Sequence, residues 1–388
     1  MKEDQMKKKD FFTPGKMSVF MDLSAGSSGK GMINSTIAGM FEPSIVMCNN
    51  GTNAGHCVEL RPEQYTGRIP EGISDKIFKK TDHGTYRITF KVLPASSVTS
   101  EYSRIFIGPD AGFSVNRFLQ EASLVNRPCR IMIHPRAVIV NPEDADRAAK
   151  NKHVSGTMSG FGPAQCRKLM RDQDADIADN HPELFHFIGD TSFATQTELA
   201  AGGTAMFELP QGFDLSLNHG YEWPKLTSRD ITAAAAMNSA GISPRRIGKI
   251  FGNVRPYPIR VGNVEGESSG TCFGMPELTW EEIDRRSGAD KFGVTLKETT
   301  TVTGRTRRVF EFSEEQIARA CRYNEPDGIF LTFVSQIDYQ SYGKTSWGQI
   351  PEEAQRKIRN FVSRVQKCSG TKVIGIATGP ACDHLILL

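Results

Sequence analysis

The stretch Ser18-Val-Phe-Met-Asp-Leu23, with Gly26-Ser-Ser-Gly-Lys-Gly31 close behind it, decides the fold of this chain. The first run is short and apolar, which predicts a buried strand, and the glycines after it predict a tight turn. A helical stretch from Met32 to Phe41 follows, and then a second apolar run, Ile45-Val-Met-Cys48. Strand, glycine turn, helix and strand in this order predict the start of a parallel α/β sheet.

Further short apolar runs continue this pattern along the chain. They are Arg104–Ile107, Arg130–Ile133, Ala205–Glu208, Gly328–Val334 and Lys372–Ala377. Helical segments lie between several of them, and Ser313-Glu-Glu-Gln316 is a capping box that opens one helix. We therefore predict a single large α/β domain, residues 17–388, in which helices and long active-site loops flank a central, mostly parallel β-sheet. Residues 1–16 are predicted to be a flexible N-terminal extension, and the Gly-, Ser- and Thr-rich stretch 256–306 to form long surface loops.

The composition excludes several classes of protein. Of the 388 residues, 38% are hydrophobic and 23% charged, which is typical of globular rather than disordered chains. The net charge of +3 is too balanced for a protein that coats nucleic acid, so we expect no direct nucleic-acid binding. Eight cysteines without a CxxC pair indicate reduced thiols, and the lysine-rich N-terminus resembles neither a signal peptide nor a membrane anchor. We expect a cytoplasmic protein with no membrane partner.

The loop Gly26-Ser-Ser-Gly-Lys-Gly31 has the residues of a phosphate site. Its glycines let the backbone wrap an anion, the following helix offers N–H donors, and Lys30 adds a point charge. The spacing is not that of a Walker A box, because only two residues separate Gly26 from Gly29 and Met32 stands near the magnesium-binding position. A glycine turn with a solvated lysine is the alternative interpretation, and this loop alone does not separate the two.

Polar segments elsewhere in the chain carry further chemistry. They are Asn49-Asn-Gly-Thr-Asn-Ala-Gly-His56, Glu208-Leu-Pro-Gln-Gly212 with Asn218-His-Gly220 and Leu226-Thr-Ser228, Thr299–Arg308, and Ile376-Ala-Thr-Gly-Pro380. The first, second and last begin at the carboxyl end of a predicted strand, where α/β sheets place ligands. The segment Thr299–Arg308 combines hydroxyls with arginines that can chelate a carboxylate, although a basic surface hairpin would read the same way.

Taken in order, the five motifs resemble the adenylosuccinate synthetase family over roughly residues 17–388. Gly156-Thr-Met-Ser-Gly-Phe-Gly-Pro163 with Arg171 is similar to the family's Gly-Pro loop, which binds a nucleoside monophosphate and sends its arginine across a dimer interface. The family joins L-aspartate to C6 of a purine nucleotide. A nucleoside triphosphate with Mg²⁺ first phosphorylates the 6-oxo oxygen, and the aspartate amine then displaces the phosphate.

The resemblance implies a role for each matching residue. The implied catalytic residues are Ser27, Lys30, His56 and Gln211. The monophosphate is implied to bind Asn53, Thr157, Arg171, Gln211 and Thr227, and L-aspartate to bind Thr301, Val302, Thr303 and Arg305. The triphosphate is implied to bind Ser28, Gly29, Lys30, Gly31, His56, Cys57, Arg307, Ser335, Gln336, Thr378, Gly379 and Pro380. The Gly55 carbonyl and Ser27 are implied to hold Mg²⁺.

Two departures from the family pattern bear on substrate choice. The family's Trp-Gly-Asp-Glu-Gly-Lys-Gly loop reads Ala25-Gly-Ser-Ser-Gly-Lys-Gly31 here, so Ser27 replaces the aspartate that takes the purine N1 proton. Serine is too weak an acid to serve as that base, but its smaller side chain leaves room beside C2 for the 2-amino group of guanine. The family's Thr-Lys-Leu-Asp aligns with Thr332-Phe-Val-Ser335, which removes the aspartate that reads the guanine of GTP. Adenine nucleotides then become admissible donors.

Both departures resemble the phage-encoded branch of the family, the 2-aminoadenylosuccinate synthetases. This resemblance implies dGMP, L-aspartate and ATP or dATP as substrates, a product on the route to 2-aminoadenine DNA, and a homodimer in the host cytoplasm with Arg171 acting in trans. An ordinary adenylosuccinate synthetase that uses IMP is one alternative, and a catalytically silent nucleotide-binding homologue is another. A generic P-loop ATPase is disfavoured by the loop spacing.

Overall fold

Strands and helices alternate along most of the chain in the computed structural model, which describes residues 6–154, 156–264, 266–300 and 304–388. The strands are β1 Met17–Asp22, β2 Ile45–Cys48, β3 His56–Leu60, β4 Phe78–Lys80, β5 Tyr86–Phe90, β6 Arg104–Ile107, β7 Gly112–Phe113, β8 Ile131–Ile133, β9 Val138–Ile139, β10 Ala205–Glu208, β11 Ile247–Val254, β12 Ile259–Arg260, β13 Glu277–Leu278, β14 Arg308–Phe310, β15 Gly328–Leu331, β16 Val373–Ala377 and β17 Leu385–Leu387. The helices are α1 Lys8–Phe11, α2 Lys30–Phe41, α3 Val115–Ala122, α4 Pro142–Lys150, α5 Phe161–Met170, α6 Thr191–Ala200, α7 Ala233–Ser239, α8 Trp280–Ser287, α9 Glu314–Asn324 and α10 Glu352–Ser369.

The central sheet has the strand order β17-β16-β15-β11-β1-β10-β2-β6-β8. Its neighbouring strands are parallel, except that β17 runs antiparallel to β16. Alternate residues of β1 enter different cores: Phe20 packs into one hydrophobic cluster, and Val19 and Met21 pack into another. The sheet is thus covered on both faces, as parallel sheets require. The predicted α/β fold is confirmed.

The apolar runs of the sequence locate most strands of this sheet, but not all. The predicted limits of Ile45–Cys48, Arg104–Ile107 and Ala205–Glu208 match β2, β6 and β10, and the other predicted strands differ at their ends. The sequence did not indicate β17, at one edge of the sheet, or β11, which lies between β1 and β15 near the middle of the sheet. The sequence of β11 contains two glycines and a lysine, and only its second half is fully buried, so it lacks a continuous apolar run.

The structure corrects the prediction of a flexible extension for residues 6–16. Phe11 and Phe12 are 0% and 1% exposed, and the Phe11 ring stacks on Phe41 with centroids 5.0 Å apart. The hydroxyl of Ser18 donates to the Phe11 carbonyl at 2.6 Å, which ties α1 to β1. The two adjacent phenylalanines supply enough apolar area to anchor this short segment on the core.

The stretch 256–306 is more structured than the predicted surface loops. Strands β12, β14 and β13 form a three-stranded antiparallel sheet, and α8 packs on it through a small core of its own. Trp280 and Ile283 of α8 meet Ile259 of β12 and Val309 of β14 there. Strands of two or three residues are too short to show a periodic pattern, which is why the sequence reads as loop.

The parallel strands bring the predicted motifs to one edge of the sheet. The segments that follow β1, β2, β10, β15 and β16 all leave from carboxyl ends, so they meet at the edge where ligands bind in open α/β sheets. Among the described residues, no helix has both the length and the apolar character to span a membrane.

Candidate active site

A cleft of about 800 Å³ opens at this carboxyl edge. The site residues implied by the sequence that line it are Ser27, Gly29, Lys30, Gly31, Asn53, Gly55, His56, Cys57, Thr157, Gln211, Thr227, Arg307, Ser335, Gln336, Gly379 and Pro380. They come from segments more than 300 residues apart in the chain. The fold therefore collects most of the predicted site into one concave surface of a size suited to small ligands.

The phosphate loop adopts backbone angles that favour glycine. Gly26 and Gly29 have φ values of 92° and 72°, and Ser27 between them has φ 56°. Helix α2 begins at Lys30, and its N-cap residue Gly29 offers no side-chain cap. The first N–H groups of α2 are thus left for an anion. A Cβ at Gly31 would lie 2.6 Å from the Cys57 carbonyl oxygen, so only glycine allows β3 to pack against this loop.

Lys30 is buried between two oxygen atoms. Its Nζ donates to the Gln211 carbonyl at 2.6 Å and lies 3.5 Å from Oδ2 of Asp22. Burial lowers the pKa of Lys30, and the Asp22 carboxylate acts in the opposite direction. The solvated lysine that was the alternative interpretation of the loop is therefore wrong.

His56 enters the cleft from the first position of β3 and is 8% exposed. Burial, with a smaller effect of the Lys30 ammonium, lowers the pKa of His56 to about 3. The imidazole is neutral at physiological pH, and such a ring offers one N–H donor and one acceptor. A neutral ring can donate a hydrogen bond to a phosphate oxygen beside Lys30.

One wall of the cleft carries amide and hydroxyl groups. Gln211 has φ 63°, and its buried Oε1 has no hydrogen-bond partner among the described residues. Asn53 Nδ2 donates to Thr227 Oγ1 at 3.3 Å, and Thr157 Oγ1 donates to Ser159 Oγ at 3.1 Å. These neutral groups suit a nucleotide base and a phosphate better than they suit a metal.

Ser27 sits beside a cluster of charges that the sequence did not reveal. Its hydroxyl accepts a hydrogen bond from Arg307, and its carbonyl accepts one from Arg255 at 2.9 Å. Glu298 pairs with both arginines. Burial acts against ionisation of Glu298, but the arginines outweigh it and lower the pKa of that carboxyl.

No local pattern marks Arg255 or Glu298, because Arg255 directly follows β11 and Glu298 directly precedes the segment Thr299–Arg308, outside each of the five motifs. Asp22 could have been predicted from the sequence, because it ends β1 just before the phosphate loop. A carboxylate at the carboxyl end of a central parallel strand is a recognisable signal.

The triphosphate residues nearest the last strands lie beside the cluster of Arg255, Arg307 and Glu298. Phe333 has φ 55°, and the Arg255 guanidinium carbon lies 4.0 Å from its ring centroid. Ser335, Gln336 and Pro380 line the cleft beyond it. Two other implied residues do not line it: the Thr378 hydroxyl donates to the Lys344 carbonyl at 2.6 Å, and Ser28 is fully buried.

Arg305 of the implied aspartate site and Arg171 of the implied dimer contact do not line this cleft. Thr301, Val302 and Thr303 fall outside the described residues. Arg305 donates to the carbonyls of Gly262 and Gly156 at 2.8 and 3.0 Å and does not line the cleft. Arg171 is exposed at the C-terminal end of α5, also outside the cleft of its own chain.

The described residues contain no group of three His, Cys, Asp or Glu side chains that could hold a metal ion. Mg²⁺ is usually bound through substrate phosphates, waters and only one or two protein oxygens. Gly55 lines the cleft beside the phosphate loop and fits that manner of binding. Ser27 fits it less well, because a cationic guanidinium already occupies its hydroxyl.

A phosphate loop, a neutral histidine and a wall of amides in one cleft of a parallel sheet define a nucleotide-binding α/β enzyme. The comparison with protein families finds the adenylosuccinate synthetase model over residues 172–342. The adenylosuccinate synthetase of Methanocaldococcus jannaschii is 31% identical over 366 residues, which cover 93% of each chain. The chain belongs to the adenylosuccinate synthetase family, and it is a carbon–nitrogen ligase of nucleotide biosynthesis.

Phage relatives are found beside the archaeal ones. The N6-succino-2-amino-2′-deoxyadenylate synthase of Vibrio phage phiVC8 is 31% identical over 333 residues, which cover 83% of this chain and 86% of the relative. Two solved structures superpose with TM-scores of 0.74. One is the succinoaminodeoxyadenylate synthetase of cyanophage S-2L bound to dGMP and dATP, with 24% identity and coverage of 96% and 95%. The other is the fully ligated adenylosuccinate synthetase of Plasmodium falciparum, with 15% identity and coverage of 96% and 100%. At these identities the structures show the fold alone.

Proposed function

We propose that this ligase joins L-aspartate to C6 of dGMP with hydrolysis of ATP or dATP. The product is N6-succino-2-amino-2′-deoxyadenylate, a precursor of 2-aminoadenine in DNA. The observation that carries the proposal is Ser27 itself, because a small hydroxyl held by Arg307 stands where the family has a carboxylate. The similarity to a phage synthase of this product supports the same assignment.

In the proposed reaction the triphosphate donates its terminal phosphoryl group to the 6-oxo oxygen, and the aspartate amine then displaces that phosphate. The α2 N-terminus and Lys30 hold the phosphates, and neutral His56 donates a hydrogen bond to them. The Gln211 side-chain amide stabilises the charge that develops on the 6-oxo oxygen. The Gly55 carbonyl, together with phosphate oxygens of the substrates, would hold Mg²⁺, which would supply charge neutralisation during phosphoryl transfer.

Binding of the monophosphate is assigned to Asn53, Thr157 and Thr227 of one chain and to Arg171 of a second copy. The exposed position of Arg171 supports a contribution in trans, which requires a homodimer. Aspartate binding is assigned to Arg305 with Thr301, Val302 and Thr303. If the chain is phage-encoded, its place of action is the host cytoplasm.

The donor specificity rests on Ser335 and Phe333. Ser335 offers no carboxylate to accept from guanine N1–H and the 2-amino group, so adenine donors are admitted. The triphosphate base is placed beside the turn of Gly379 and Pro380, which lines the same cleft.

The test is a phosphate-release assay with Mg²⁺ and L-aspartate that crosses IMP, GMP and dGMP against ATP, dATP and GTP. We expect dGMP or GMP to exceed IMP, with ATP or dATP as donor. Turnover of IMP without dGMP would identify an ordinary adenylosuccinate synthetase, and no turnover of any pair would identify a silent homologue.

Ser27→Asp should lower activity on the guanine substrate, since a carboxylate refills the space beside C2. Ser335→Asp is the matched control, because it adds the same side chain at the position proposed to face the triphosphate base. It should shift the donor preference toward GTP and leave the acceptor preference unchanged. Equal effects of the two variants on the acceptor preference would contradict the assignment of Ser27.

A further inference from the structure

Asp22 is a fully buried carboxylate that the proposed reaction does not use. It ends β1, and its Oδ1 accepts hydrogen bonds from the Ser24 amide at 2.7 Å and the Ser24 hydroxyl at 3.0 Å. Its Oδ2 lies 3.5 Å from Lys30 Nζ. These contacts fix the carboxylate beneath the phosphate loop, with one oxygen anchored and the other turned to the lysine.

Lys30 carries this contact on to Gln211. The Lys30 ammonium bonds the Gln211 carbonyl at 2.6 Å, and Gln211 is a non-glycine residue with φ 63°. Such a conformation is unfavourable by itself and persists only where neighbours hold it. A Cβ at Gly212 would lie 2.9 Å from Asp22 Oδ1, so the Gln211–Gly212 turn packs directly on Asp22.

The surrounding charges leave Asp22 as the counter-ion of Lys30. Glu298 pairs with Arg255 and Arg307, the two arginines that contact Ser27 of the phosphate loop. Asp214, another buried carboxylate nearby, accepts from the Gln316 amide at 2.9 Å instead of a lysine. Without Asp22, the buried ammonium would have no carboxylate partner among the described residues and would face the guanidinium of Arg307 and the neutral ring of His56.

We propose that Asp22 is a positioning residue that holds the Lys30 ammonium and, through it, the backbone of Gln211. It thereby aims the buried Gln211 amide at the 6-oxo group and keeps Lys30 in place for the phosphates. The role rests on the reaction proposed above, and it links the phosphate end of the cleft to the reacting oxygen through three side chains.

The first test is Asp22→Asn, which preserves the shape and the Ser24 contacts but removes the charge. We expect kcat to fall about tenfold or more, with a change in the KM of the monophosphate below about threefold, because the Gln211 contact matters most in the transition state. In a Lys30→Met background the same substitution should change kcat less than about twofold, since the path through Lys30 is gone. Additive losses would overturn the proposal.

Asp214→Asn is the control, because it removes an equally buried carboxylate that does not contact Lys30. It should leave kcat within about twofold of the parent. Equal losses in the two Asn variants would show a general effect of buried charge and overturn the assignment. If Asp22→Asn fails to fold, Ser24→Ala keeps the carboxylate and removes one of its anchors. It should lower kcat about two- to threefold, and an unchanged kcat would contradict the proposal.

Calorimetric binding of ATP separates this inference from the proposed substrates. We expect Asp22→Asn to weaken ATP binding about fivefold or more, because the displaced ammonium loses its phosphate contact. ATP binding without turnover of any acceptor would refute the proposed substrates, and a fivefold weaker ATP affinity of Asp22→Asn would then still support the role of Asp22 in holding Lys30. Unchanged ATP affinity in Asp22→Asn, with intact binding by the parent, would overturn the role of Asp22 alone.

Discussion

Helices α2 and α5 begin in the same way and differ in what surrounds them. Each has a glycine N-cap in the left-handed region, Gly29 with φ 72° and Gly160 with φ 82°, and neither cap provides a side-chain hydrogen bond. Helix α2 begins at the cleft, where its first N–H groups are left for an anion, whereas none of residues 160–163 at the start of α5 lines the cleft. Lys30 of α2 is buried and bonded on both sides, whereas the arginine proposed to act with α5 is Arg171, exposed beyond the helix's far end.

The difference shows which half of the cleft one chain completes. The phosphate loop gathers Asp22, Lys30 and Gln211 from a single chain. The α5 loop places Thr157 in the cleft and leaves Arg171 beside the exposed Leu169 and Met170, which are 76% and 66% exposed. An arginine next to exposed apolar side chains fits a contact with a second copy. The part of the cleft that is proposed to bind the triphosphate is thus formed by one chain. The part that is proposed to bind the monophosphate acceptor is proposed to be shared between two chains.

Lys30→Met gives the largest expected effect. It removes the ammonium, keeps most of the side-chain volume, and leaves Asp22 as a buried charge without its partner. Breaking a buried pair in this way destabilises the fold by about 3–5 kcal/mol, so the melting temperature should fall. Loss of the charge-assisted contacts to the phosphates should lower kcat/KM by about a hundredfold.

Lys168→Met is the control on α5, where Lys168 donates to the Pro109 carbonyl at 2.5 Å and lies outside the cleft. It should keep kcat/KM within about threefold of the parent. Similar losses in the two variants would remove the contrast between the helices.

Arg171→Leu comes next. A charge-assisted contact with phosphate is worth about 1.5–3 kcal/mol, so the KM of the monophosphate should rise about tenfold or more with little change in stability. Arg147→Leu, another exposed arginine on the neighbouring α4, should leave KM unchanged.

Mixing Arg171→Leu with Lys30→Met tests whether the contact is made in trans. Random exchange makes about half of the dimers hybrids, and each hybrid has one intact site, so about a quarter of all sites recover. If subunits exchange and no activity returns, Arg171 does not complete a partner's site.

The same contrast explains what could be predicted from sequence. The unit from β1 through α2 to β2 was predicted because strand, glycine turn and helix signals lie within 31 residues. The Asp22–Lys30–Gln211 connection was not, because Gln211 is 181 residues from Lys30 and neither residue type indicates the other. Contacts between distant segments follow from the strand order β11-β1-β10, and β11 itself gave no apolar run.

Site residues were predicted because they lie in motifs. The charged residues that hold them in place were missed because they lie outside those motifs. Arg255 reaches the Ser27 carbonyl from 228 positions away, after a strand that the sequence did not indicate. The N-terminal phenylalanines show a related limit, since two buried rings in a lysine-rich segment do not form a periodic pattern.

The pH dependence of folding stability tests whether His56, beside Lys30 of the phosphate loop, is shielded from solvent. Its pKa is about 3 in the folded chain and near 6.5 when unfolded, so below pH 6.5 the unfolded state takes up a proton that the folded state rejects. The contribution of His56 to the free energy of unfolding is fully present above pH 6.5 and is lost as the pH falls toward 3. Between pH 7 and pH 5 the loss is about 2 kcal/mol.

Denaturant unfolding of the parent and of His56→Gln at both pH values measures this contribution as the difference between the two chains. His83→Gln, which replaces an exposed histidine at the cleft mouth, should retain the parent's pH dependence. If the parent and His56→Gln show identical pH dependence, the His56 ring is exposed to solvent and the cleft beside the phosphate loop is not closed.

Thr157→Val gives the smallest expected effect and the sharpest division of the acceptor site between two chains. A neutral hydrogen bond is worth about 0.5–1.5 kcal/mol, so the KM of the monophosphate should rise about two- to tenfold. Thr157 lines the same chain's cleft as Lys30, whereas Arg171 does not. Mixing Thr157→Val with Arg171→Leu should therefore restore one intact site in each hybrid dimer. Mixing it with Lys30→Met should restore none, because each site of that hybrid keeps one fault. Recovery in the second mixture would show that Thr157 and Lys30 of one chain belong to different sites. It would contradict the proposed division of the cleft between two chains.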